Sequence, residues 1–146
     1  MYLFNRSISV NVRSEDEKTL TVNGFLLDSH HELCITLGVD LESNTITSAD
    51  GEFRRVPYTD CGQTRKLINN LVGVDLNRNV RKQIQVAVGL KYGCTHLTDL
   101  TLECVKGLRQ AIFQLMQHTM QEEKIKGLVE QLEGSCLHYC STSTQW

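Results

Sequence analysis

The chain has 146 residues, enough for a domain with its own hydrophobic core. Its 40% apolar and 22% charged residues are ordinary for a globular protein, and a formal net charge of −2 excludes a global field that would recruit nucleic acid or an anionic membrane. No apolar run approaches the ~20 residues that span a bilayer, and the first six residues lack the basic, apolar and cleavage regions of a signal peptide, so a cytoplasmic location is expected.

The N-terminal half reads as strands. In 6–13, Ile8, Val10 and Val12 alternate with polar residues and share one face. The polar run Ser14-Glu15-Asp16-Glu17-Lys18 reads as a hairpin turn. Residues 19–27 return with Leu20, Val22 and Leu26 on one face, and Gly24 marks a bulge or a close contact. Asp28-Ser29-His30-His31-Glu32 interrupts the pattern. Leu33, Ile35, Leu37 and Val39 then alternate as a third strand, with Cys34 on the opposite face. A fourth strand is expected over 44–49, after a turn at Glu42-Ser43. Asp50-Gly51 reads as another turn, leading to a short fifth strand over 53–56.

Pro57, the only proline, marks a change to helical periodicity. A helix is expected over 61–70 with Asp60 as its N-cap, and a second over 80–88 carrying Val80, Ile84, Ala87 and Val88. The longest should run from Thr95 to about His118, because Leu97, Leu100, Cys104, Leu108, Ala111 and Leu115 recur at spacings of three and four. A further helix over 122–132 would turn Ile125, Leu128 and Leu132 inward and stop at Gly134. The expected fold class is α+β. One domain covers 1–146, with an N-terminal antiparallel sheet (6–56), three or four packed helices (60–134) and a tail rich in cysteine and histidine (135–146).

Six cysteines in a reducing compartment favour metal binding, redox chemistry or burial over lasting disulfides. The stretch from Lys91 to Leu100 sets Cys94 and His96 two apart, just after Gly93 and at the mouth of the longest helix. A helix N-terminus offers free N–H groups and partial positive charge, both of which favour a thiolate. Cys61 and Cys136 lie at junctions, so a fold can bring them to that helix mouth. Cys61, Cys94, His96 and Cys136 make a Cys3His set suited to zinc or an iron–sulfur centre, although the paired C-x2-C knuckles of zinc fingers are absent. Cys136, His138 and Cys140 are alternative ligands if the tail is extended. Cys104 lies on the apolar helix stripe and reads as core, Cys34 as structural and His118 as a surface residue complementing the helix dipole. His31 and Glu32 are acid–base candidates in what otherwise reads as a polar loop. There is no phosphate-binding loop, nucleophile elbow or basic aromatic patch.

The segment Tyr92-Gly93-Cys94-Thr95-His96-Leu97-Thr98-Asp99-Leu100 resembles the hallmark of a bacterial family known only as domain of unknown function 2889. Arg6-Ser7-Ile8, Val22-Asn23-Gly24-Phe25-Leu26-Leu27-Asp28, His31-Glu32-Leu33, Pro57-Tyr58, Leu71-Val72-Gly73-Val74 and Cys136 match in order. The connection between the second and third strands is shorter here than is usual for the family, and the Cys-x-His-Tyr-Cys ending is unusual. The resemblance supports grouping Cys61, Cys94, His96 and Cys136, and implies no activity. A weaker similarity, to iron–sulfur scaffold proteins, rests on Cys61-Gly62 and Gly93-Cys94; the expected helix over 80–88 departs from that family.

Three functions are consistent with these features. The first is a metal-binding accessory or maturation protein in which Cys61, Cys94 and Cys136 ligate as thiolates and His96 as neutral imidazole. The second is an enzyme with Cys94 as nucleophile, His96 or His31 as base and helix N–H groups as oxyanion hole. The third is a non-catalytic interaction module with structural cysteines and a protein partner.

Overall fold

The computed structural model describes residues 1, 3–14, 16–119, 126, 127, 129, 130, 132–136, 139 and 140. Four strands form one antiparallel meander: β1 (Arg6–Ser14), β2 (Thr19–Asp28), β3 (Glu32–Asp40) and β4 (Thr45–Arg55), in the order β1-β2-β3-β4. They lead into a 3-10 segment (Cys61–Leu71), helix α1 (Val80–Val88), a 3-10 turn (Leu90–Tyr92) and helix α2 (Thr95–His118). The α+β expectation is met. The chain divides into two compact units, Met1–Leu108 and Arg109–Trp146, with the boundary inside α2. No helix among the described residues is long and apolar enough to cross a membrane.

Period-2 alternation gives the sheet one apolar face. Leu20, Val22, Leu26, Leu33, Ile35, Leu37, Val39 and Ile46 are all buried, and the stripe of α2 (Leu97, Leu100, Cys104 and Leu108) is buried with them in the first unit's core. Gly24 is the closest approach between the two layers. A Cβ there would overlap Cys104 Sγ and crowd Leu100 and Ile35, so the close contact read from the sequence is real. Gly107 approaches Val10, the register partner of Gly24, in the same way. α2 thus crosses this pair of strands, and its first turn reaches the β2–β3 hairpin, where the His96 ring centroid lies 3.7 Å from that of His31.

Two local expectations are corrected. Asp50-Gly51 makes no turn: β4 continues through it to Arg55, with Asp50 opposite Thr36 and Gly51 opposite Ile35. The glycine is needed for space, because a Cβ would press on the Cys34 carbonyl and Ile68. The expected fifth strand is thus the second half of β4, paired with β3 across a register shift at Arg54. The helix after Pro57 is a 3-10 segment with Ile68 and Leu71 buried, and Asp60 takes helical dihedrals without a side-chain cap bond. The expected helix over 122–132 lies partly outside the described residues, as does the tail beyond Cys140; within that span, residues 126, 127, 129 and 130 are helical, and Gly134 has a φ of +72°, suited to a helix stop.

Candidate functional site

The β2–β3 hairpin closes on a two-residue tip, Ser29-His30, with Asp28 N donating to the His31 carbonyl at 2.9 Å. Asp28 holds this tip with its side chain. Its Oδ1 accepts from the backbone N–H groups of His30 (2.8 Å) and His31 (2.7 Å) and from His31 Nδ1 (2.9 Å). Its Oδ2 accepts from Arg6 Nε at 3.2 Å and Nη2 at 2.8 Å, Arg6 being the residue opposite Asp28 in the β1–β2 register. Arg55 Nη2 donates to the Asp28 carbonyl at 2.8 Å from the end of β4.

Asp28 is only 2% exposed. Burial alone would raise its pKa, but the hydrogen bonds from His30, Arg6 and His31 outweigh it and hold the carboxyl well below the usual range. An ionised carboxylate can only accept, so His31 Nδ1 must carry the proton it donates. Nε2 is left as the second nitrogen of His31.

His96, in the first turn of α2, meets this ring. The His31 and His96 centroids are 3.7 Å apart with the planes tilted by 31°. Burial, then the charges of His31 and Arg6, lower the His96 pKa, against weaker opposing effects of Asp28 and Asp99. At neutral pH His96 is therefore an uncharged imidazole with a lone pair. Ligand atoms of Asp28, His31 and His96 all lie within 4.8 Å of one another.

Cys34, Cys61, Cys94, Cys104 and Cys136 are free thiols. Cys94 stands just before α2, half-buried, with Sγ accepting from Leu97 N at 3.4 Å and its carbonyl accepting from Thr98 N at 3.0 Å. This is the helix-mouth position read from the sequence, and Gly93 is required there because a Cβ would strike the carbonyl oxygens of Val88 and Gly89. Cys94 makes no hydrogen bond to an imidazole. Cys61 opens the 3-10 segment, half-buried, and Cys136 is exposed in the second unit. Among the described residues, the gathered metal-ligand set contains His96 of the four expected ligands, and no cysteine. Cys104 is core as expected, its thiol pushed up to about 12 by burial and by the Glu103 charge.

A match to the family described as "Protein of unknown function (DUF2889)" covers residues 4–110. The chain belongs to that family. No curated protein and no solved structure matches it. Four segments that carry the family resemblance each supply one residue of the cluster: Arg6, Asp28, His31 and His96. Asp28 was missed as a functional residue because it reads as a strand end. Its available signal was Asp followed by two small or polar residues and a histidine, the pattern of a side chain bonding to backbone N–H groups two and three residues on.

Proposed function

We propose that His31 and His96 form a binding centre for a divalent transition metal, zinc by preference, with Asp28 as the carboxylate that orients His31. The observation that carries this reading is the 2.9 Å bond from His31 Nδ1 to a buried, ionised Asp28. Carboxylate–imidazole pairs of this kind fix the tautomer and ring angle of metal-binding histidines. Two nitrogens on one tetrahedral zinc ion lie about 3.3 Å apart, given Zn–N bonds near 2.05 Å. The ligand atoms of the group lie within 4.8 Å of one another, which is compatible with that separation. Asp28 itself is a poor ligand. Its oxygens already accept from His30, His31 and Arg6, which fills the lone-pair positions a carboxylate has.

Two imidazoles leave coordination positions for water, substrate or a donor from another protein. Such a centre suits an accessory or maturation protein that accepts and passes on a metal. An iron–sulfur cluster is less well supported, because it needs thiolates and the gathered group contains none. The test is metal uptake by full-length protein, measured by equilibrium dialysis against zinc with elemental analysis. Wild type should take up one equivalent, and His31→Ala and His96→Ala should each lose it while keeping the wild-type circular dichroism. Stoichiometric zinc retained in the folded double variant refutes the assignment.

A further inference from the structure

Away from the histidines, α1 and the chain preceding it line an open cleft of about 710 Å³, within the range of small-molecule sites. One wall is the segment 73–76. It adds to the outer edge of β4 through Ile46 N to Val74 O (3.1 Å), Gly73 N to Ile46 O (2.8 Å) and Leu76 N to Asn44 O (2.9 Å). The other wall is α1. Gln83 clamps the two together: Asp75 N donates to Gln83 Oε1 at 3.0 Å, and Gln83 Nε2 donates to the carbonyls of Asp75, at 2.8 Å, and Arg78. The cleft is thus preformed, held by backbone and amide bonds that do not involve its charged side chains.

Arg78 and Lys82 line it, and neither makes an ion pair or a side-chain hydrogen bond among the described residues. The one carboxylate in the lining, Asp75, accepts from Asn77 N at 2.8 Å, and the first turn of α1 contains no acidic residue. The cleft is therefore locally cationic in a chain whose net charge is −2. Beside the cations stand exposed apolar side chains, Val72 at 49% and Val86 at 65%. Val86 follows Lys82 by four residues, so the two share a helix face about one turn, ~5.4 Å, apart.

From this arrangement we infer that the cleft binds a small amphiphilic anion: a phosphate or carboxylate carrying an apolar group about one helical turn long. Arg78 and Lys82 take the charged end, and Val72 and Val86 cover the apolar end. The site shares no residue with the histidine cluster and does not depend on metal there.

Phenyl phosphate is a suitable probe, titrated into isotopically labelled full-length protein and followed by amide chemical shifts. Saturable shifts are expected over 72–75 and 82–87. Inorganic phosphate and benzyl alcohol, each lacking half of the ligand, should bind at least about tenfold more weakly. Arg78→Glu combined with Lys82→Glu should weaken phenyl phosphate by about tenfold or more, and Val86→Ser by a few-fold. These residues are exposed, so unchanged shifts elsewhere will report intact folding. Shifts that do not saturate, saturation at another surface, inorganic phosphate binding as tightly as the probe, or undiminished binding by the folded charge-reversed variant would each overturn the assignment.

Discussion

Replacing Asp28 by Asn tests the frame of the histidine centre at the point where structure and chemistry meet. Asn keeps the shape but offers one acceptor and one donor. With its oxygen toward His30 and His31, its amide faces the Arg6 guanidinium, donor against donor. Flipped, the amide faces the N–H groups of the hairpin tip, which is worse because Asp28 and His31 are buried while Arg6 can swing toward water. In the better orientation the bonds from His30 N, His31 N and His31 Nδ1 become neutral. A bond to a charged group contributes about 1.5–3 kcal/mol, against about 1 for a neutral one, so these three together lose about 1.5–6 kcal/mol. The Arg6 pair adds little, since the arginine is part-exposed and screened. Relief from burying a charge offsets part of the loss and leaves about 2 kcal/mol. In a chain of this size that lowers Tm by about 6–8 °C. The effect has a pH signature. The Asp28 pKa is depressed in the fold, so its contribution is complete above the unfolded value near 3.8 and is lost as pH falls below it. Urea unfolding of wild type and Asp28→Asn should therefore differ most at neutral pH and converge in acid. Zinc affinity should fall about 10–100-fold, because the His31 tautomer is no longer enforced. A loss under ~0.5 kcal/mol with unchanged zinc uptake would refute the reasoning.

Other outcomes follow from the same geometry. Cys94→Ser should leave zinc uptake within about twofold and stability unchanged or slightly improved, since Ser is a preferred N-cap; lost uptake in the folded variant would instead restore cysteine ligation. Gly24→Ala should cost about 1–3 kcal/mol by forcing a methyl onto Cys104, and Cys104→Ala should relieve part of that cost in a double-mutant cycle by chemical denaturation. Zinc binding, measured by competition with a chromophoric chelator, should weaken as pH falls and protons compete for the imidazoles. Because its pKa is lowered, His96 should stay available to more acidic pH than an ordinary histidine. The same depression makes the His96 contribution to folding stability complete above the unfolded value near 6.5 and diminished as pH falls through the folded one.

The sheet was legible because each strand has one buried face, and period-2 alternation records burial directly. The long helix was legible for the matching reason at period 3.6. Asp50-Gly51 misled because the dipeptide that favours a turn also satisfies a strand position where another backbone comes too close for a Cβ. The site was half legible. His96 stood out beside Cys94 at a helix mouth, and that local geometry is as expected. His31 was seen as a candidate, but its partner was sought in Glu32, whose side chain is part-exposed, when the hairpin tip turns the imidazole back onto Asp28. Which junctions meet in space depends on the crossing of α2 over β2, where Gly24 has no Cβ to hold Cys104 away, a long-range packing fact with no local periodicity.

The meander also orders events in time. β1, β2 and β3 are joined by consecutive hairpins, so Arg6, Asp28 and His31 can come together through short-range closures, which form on microsecond timescales. His96 lies far along the chain and joins only when α2 docks on the sheet. Docking across such a separation is the slower step, since the intervening loop must lose its entropy first. The oriented half of the centre can thus form before its second imidazole arrives. Time-resolved metal capture during refolding would then report the docking of α2, making the histidine pair an intrinsic clock for the last stage of folding.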